Sequence, residues 1–202
     1  MTNNKNLENV LDVKNRKQFR DWLQKNHSCK TECWVAVKHG KPVDKDNLYY
    51  LEAVLEALCF GWIDSVKKKI NGIAYQRFSP RKKTSYWSEL NKARCVMLKD
   101  LGLMTESGLK TIPDDNFKVD YEIISILKSD KKLLNNFMKF PNLYKRIRIY
   151  NIQIAKKNKD KSVFKKALNN FITQTIAGKM YGNWDDYGLL KKYENSFKFD
   201  LK

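Results

Sequence analysis

Histidine is nearly absent from this chain: His27 and His39 are the two it has. A nucleophile–histidine–acid arrangement is therefore poorly supplied. No P-loop, dinucleotide-binding glycine fingerprint, G-x-S-x-G elbow or H-E-x-x-H helix occurs, and the reactions built on those motifs find no footing. No run of 18 apolar residues exists, so a membrane span is not expected. The start, Met1 to Asn9, is polar and lacks the apolar stretch of a secretory leader. Four cysteines, Cys29, Cys33, Cys59 and Cys95, lack the paired spacing of a zinc site even with His27 added. The expectation is a reducing, cytoplasmic setting without disulfides, metal or cofactor.

Arginine is scarce as well. Of 40 basic residues only 7 are arginine, although the net charge is +18. A surplus of this size suggests nucleic acid or another anionic partner. Two features weaken that reading. Abundant lysine, asparagine and isoleucine are what an AT-rich coding sequence produces. The charge is also even, at +9 for residues 1–112 and +9 for residues 113–202. Most of it reads as solvated lysine.

What is present is ordinary globular patterning, with 42% hydrophobic and 31% charged residues in 202. Residues 1–10 are polar and expected to fray. Arg16 to Asn26 places Phe19, Trp22 and Leu23 at helical spacing. Glu32 to His39 alternates as a strand does. Tyr49 to Phe60 is the clearest helix, with Leu51, Val54, Leu55, Leu58 and Cys59 inward and Glu52 and Glu56 outward. Gly61 stops it. Trp62 to Ile70 and Ile73 to Phe78 flank Asn71-Gly72, a hairpin signal. A helix is expected from about Ser85 to Leu101 and another near Thr105. Pro113 to Asn116 looks like a joint. Beyond it four helices are expected, at 121–127, 130–139, 143–157 and 161–177, with Gly178 as a stop and a mixed tail from 183. The fold class is α+β: a small, mainly antiparallel sheet packed by helices over residues 1–112, then an all-helical region over 113–202.

The densest polar and aromatic stretch runs from Arg77 to Ser88. It leaves a strand, turns at Pro80, and enters a helix that Thr84 or Ser85 would cap. Arg81, Lys82 and Lys83 would then crowd the positive end of that helix, a cost that an anion would relieve. Trp87 and Asn91 share a helix face at this spacing. Asp64 is the one acid in this basic region. It suits a general base or a partner for Arg77 or Arg81.

The string Glu56 to Asp64, then Arg77-Phe78-Ser79-Pro80-Arg81, then Trp87-Ser88 and Asn91, resembles the signature block of the YdeI/OmpD-associated, or bacteriocin-protection, proteins. Trp22 to Asn26 with Trp34, Met104-Thr105-Gly108-Leu109, Tyr144 to Lys156 and Ala177-Gly178-Lys179 extend the resemblance over residues 16–180. Ser65 stands where that family usually has glycine, and the helical part is richer in lysine and poorer in arginine and glutamate. The resemblance implies an association with cell-envelope stress and carries over no established catalytic activity.

Three functions follow as expectations. The first is binding of an anionic small molecule or nucleic acid at Arg77, Arg81, Ser85 and Trp87, with Trp62 and Asn91 lining the pocket. The second is an enzyme using Asp64 as acid or base. The third is a protein-interaction module with an exposed apolar stripe on residues 143–176.

Overall fold

A computed structural model describes residues 8–201 of the chain. The architecture is α+β, with one three-stranded antiparallel sheet and eight α-helices among the described residues. The chain divides into two compact units, Met1–Tyr86 with Leu98–Ile112, and Trp87–Met97 with Pro113–Lys202. A simple break at 112/113 would have left residues 87–97 in the first region; by packing they belong to the second unit.

The first unit opens with α1 (Arg16–Asn26), capped by Asn15, whose side chain accepts the Gln18 N–H at 3.0 Å. Phe19 and Leu23, one helical turn apart, are its buried residues. Strand β1 is Cys33–Ala36, shorter than the expected 32–39. Past it, Lys38 leaves the sheet to bond backbone to backbone with Leu48 and Tyr50. Helix α2 is Tyr50–Cys59, β2 is Trp62–Ile70 and β3 is Ile73–Pro80. Asn71 and Gly72 both take positive φ, +48° and +82°, as a two-residue hairpin loop requires. The strand order is β1-β3-β2, with Cys33 opposite Phe78 and Trp62 opposite Pro80. Phe19 of α1 meets Phe78 of β3 at a 5.3 Å centroid distance, which places the helix layer on one sheet face.

Two expectations in this unit need correction. Residues 9–11 do not fray: Trp34 N–H donates to Asn9 O and Leu11 N–H to Trp34 O, along the open edge of β1. Residues 1–7 lie outside the described residues. Glu56 is not on an outer face but 2% exposed. Its carboxylate is tolerated there because Arg16 and Arg20 of α1 both donate to it.

Helix α3 is Glu89–Asp100. It starts later than the expected Ser85. Ser88 supplies the cap, accepting the Asn91 N–H at 3.2 Å, while Ser85 closes a turn with the Lys82 N–H. Helix α4 is the single turn Glu106–Leu109 in the first unit.

The second unit continues with α5 (Tyr121–Ser129), α6 (Lys131–Lys139), α7 (Asn142–Lys156) and α8 (Lys161–Ile176). Ile123, Leu127, Leu133, Phe137, Ile149, Ile152 and Phe171 form its core. Gly178, at φ +66°, ends α8: its N–H reaches Thr175 O and the Lys179 N–H reaches Gln174 O, a paired C-terminal cap. The tail is docked within this unit. Leu143 N–H donates to Glu194 O, Asn142 donates to Phe197 O, and Leu190 is fully buried. No helix among the described residues is long and apolar enough to cross a membrane.

Candidate functional site

The residues singled out in the sequence divide between the units. Trp62, Asp64, Arg77, Arg81 and Ser85 lie in the first, Trp87 and Asn91 in the second. Trp62 is 1% exposed. Its indole N–H donates to His27 O and its ring meets Trp22 edge-on at 5.8 Å, so it offers no face for stacking. Arg77 is held by Glu32, with Nε–Oε2 at 2.8 Å, and also donates to Ser65 Oγ at 3.2 Å. Arg81 Nη1 donates to Tyr86 O within the same turn. With α3 beginning at Glu89, the basic Arg81-Lys82-Lys83 run does not abut a helix N-terminus. The first turn of α3 instead carries an acid, Glu89.

Asp64 pairs with neither arginine. It is half-buried and accepts the Tyr50 hydroxyl at 2.8 Å. Asn91 Oδ1 accepts from Arg94 Nη1 at 2.8 Å, which spends its carbonyl inside the second unit. His27 is a packing residue: its ring faces Phe60 and its nitrogens lie 3.0 Å from Leu23 O and 3.1 Å from Ser107 Oγ.

The electrostatic pattern sought at Arg81 occurs instead at the start of α1. A groove of about 540 Å³ is lined by Asn15, Arg16, Lys17, Arg20, Lys45, Glu52, Glu56 and Leu103. Four cations face two carboxylates there. Buried Glu56 holds two of the cations side by side, Arg16 Nε on Oε1 and Arg20 Nη1 on Oε2, each at 2.6 Å. Arg20 also donates to Leu103 O at 2.9 Å, which fixes its fork. Burial lowers the hold of Arg20 on its proton, but the hydrogen bond and charge of Glu56 outweigh it and the net shift is upward. Lys17 is paired with Asp21. Arg16 Nη1 and Nη2 and the Lys45 ammonium have no acceptor among the described residues. The first turn of α1 carries no acid. Free N–H groups and two cationic side chains thus share one helix pole.

Sequence reasoning had the ingredients of this groove and missed it. The spacing of Arg16 and Arg20 on one helix and Glu56 on the next is visible in the sequence, but the local pattern of α2 puts Glu56 on the outer face, whereas it is buried. A second groove, of about 550 Å³, is lined by residues from 10–14, 36–38 and 46–48 with Ile73 and Tyr75. Asp64 lines neither groove.

No curated protein and no solved structure matches the chain. Residues 11–111 match the family model described as "Domain of unknown function (DUF8412)". That span is half of the 202 residues and holds the α1 groove entire, and the chain belongs to the DUF8412 family.

Proposed function

We propose that the protein binds a phosphorylated ligand, a nucleotide or the phosphate backbone of a nucleic acid, in the groove at the start of α1. The observation that carries this reading is the Glu56 carboxylate, 2% exposed, holding Arg16 and Arg20 at fixed spacing with unspent donors on Arg16. A groove of this volume suits a mononucleotide-sized ligand. Two arginines braced on one buried acid form a rigid donor set, which lowers the ordering cost of binding. The positive pole of α1, whose first turn carries no acid, adds attraction for a phosphate.

The anionic-ligand reading from the sequence is kept, and its location moves from Arg81 to Arg16. The enzyme reading gains no observation from these two grooves, neither of which Asp64 lines. The interaction-module reading loses support too. Along 143–176, Val163 is the one large hydrophobic side chain exposed among the described residues, at 38%, and no apolar stripe exists.

The test is thermal stabilisation by a nucleoside triphosphate and by a single-stranded oligonucleotide, each against chloride at matched ionic strength. Wild type should gain melting temperature with one of them. The variant carrying Arg16→Met and Lys45→Ala, which leaves the Arg20–Glu56 pair in place, should lose that gain. A wild type that responds to neither ligand, or a variant that responds as wild type does, sinks the reading.

A further inference from the structure

Six of the seven arginines donate to a protein acceptor. Arg16 and Arg20 use Glu56, Arg77 uses Glu32, Arg81 uses Tyr86 O, Arg94 uses Asp186, and Arg146 uses Glu89 and Asp115. Arg148 is the exception: it makes no hydrogen bond or ion pair among the described residues. Yet it is only 9% exposed. Its Nε is sealed from solvent and has no protein partner.

The surroundings of Arg148 are aromatic. Its guanidinium carbon lies 4.4 Å from the centre of the Tyr181 ring and 5.2 Å from that of Tyr144. Those two rings stand nearly perpendicular, at 87°. Tyr144 also meets Trp184 edge-on at 5.7 Å. Ring faces offset part of the desolvation of a cation, but they provide no acceptor for its N–H groups. The Tyr144 hydroxyl is a second sealed donor without an acceptor, and burial pushes it up to about 12. The Nη edge of Arg148 faces Gly182. A Cβ at that position would stand 3.2 Å from Nη2 and 3.5 Å from Nη1. Glycine at 182 lets the chain pass this close to the fork, and Nη1 and Nη2, unlike Nε, are not sealed from solvent.

We infer that Arg148, with the Tyr144 and Tyr181 rings behind it and Gly182 beside it, is a binding site for a compact oxyanion, a phosphate or carboxylate group. The two Nη groups present the parallel donors that such a group accepts. The dehydrated, ring-lined setting strengthens the pairing, because charges interact more strongly where water is excluded. A buried cation without a counter-charge is costly to the fold, and a bound oxyanion removes that cost. This site lies wholly in the second unit and does not depend on the α1 groove.

The experiment compares melting temperatures in phosphate, acetate and chloride at matched ionic strength, for wild type and for Arg148→Met, Tyr144→Phe and the groove variant Arg16→Met/Lys45→Ala. Wild type should gain from phosphate or acetate over chloride in a saturable, one-site manner, and the better anion names the group. Arg148→Met should melt at or above wild type in chloride and show no gain from either oxyanion. The groove variant should keep the gain, which separates this site from the first. Arg148→Met melting below wild type by the same margin in all three salts would make Arg148 a structural brace and overturn the inference. So would loss of the gain in the groove variant. Should Arg148→Met fail to fold, the wild-type Nε–H resonance of Arg148, identified by its slow solvent exchange, decides instead. Titrating phosphate and acetate must shift it saturably, and an unmoved resonance rejects the site.

Discussion

Arg94 and Asp186, 92 residues apart, form a two-bond fork: Nε donates to Oδ2 at 2.7 Å and Nη2 to Oδ1 at 2.8 Å. Both are buried, Arg94 at 8% and Asp186 at 1% exposure. The pair ties α3 to the C-terminal tail inside the second unit, and Asn91 completes it by accepting from Arg94 Nη1. Breaking a buried pair from one side leaves an uncompensated charge, at a cost of about 3–5 kcal/mol. Asp186 sits at φ +50°, a region that asparagine also tolerates. Asp186→Asn therefore removes the charge without adding backbone strain. It should lower the unfolding free energy by about 3 kcal/mol in urea titrations. The double variant with Arg94→Met should cost less than the two single changes together. Additive costs would mean that the fork contributes little.

Gly108 presses on the end of α2 more closely than any side chain allows. A Cβ there would lie 2.2 Å from Cys59 O and 2.9 Å from Leu58 O, both backbone atoms. Thr105 explains the approach: its hydroxyl donates to Cys59 O at 2.6 Å and its N–H to the same oxygen at 3.0 Å. Gly108→Ala must push α4 off this contact. Overpacking a tight site costs about 1–3 kcal/mol, and a backbone neighbour cannot rotate away, so the upper end is expected. Gly102→Ala is the control. It has positive φ but nothing within 4 Å of a built Cβ, so strain alone should cost about 1 kcal/mol. Equal losses in the two variants would refute the close-approach explanation.

The elements that local pattern dictates were legible in the sequence. The Asn71-Gly72 hairpin, the Gly178 stop and the apolar stripe of α2 each follow from a few adjacent residues. The misreadings arose where a distant partner decides. Glu56 is inward because α1 brings two arginines to it, which no window around α2 reveals. Trp62 is expected from the sequence to line a pocket with Arg77 and Arg81, whereas Trp22 and His27 bury it. The start of α3 slid to Glu89 because Ser85 was spent on its own turn with Lys82. Arg146 and Arg148 are two residues apart on α7 and chemically alike in sequence. Only the fold gives one of them Glu89 and Asp115 and leaves the other among tyrosines.

The buried thiols make stability fall in alkali. Burial, with the nearby Glu32 charge and against that of Arg77, pushes the Cys33 thiol up to about 12 from an ordinary 9.0. Burial, with Glu56 and against Arg20, pushes Cys59 up to about 11 from 9.0. Above pH 9 the unfolded chain releases both protons while the folded chain keeps them. The folded state then binds more protons, so the unfolding free energy drops as pH rises. The stabilising effect is whole below pH 9 and is lost progressively toward about 11 for Cys59 and about 12 for Cys33. Each thiol contributes a slope of about 1.4 kcal/mol per pH unit at most within its window. Urea midpoints measured from pH 8 upward should fall more steeply for wild type than for the Cys33→Ala/Cys59→Ala variant, whose remaining slope reports lysine and tyrosine titration. Thiol labelling at pH 8 gives a second readout. Cys29 is exposed and the other three cysteines are buried, so one thiol should react quickly and three only as the chain opens. Parallel pH slopes in the two proteins, or four equally fast thiols in the native state, would contradict the buried, protonated assignment.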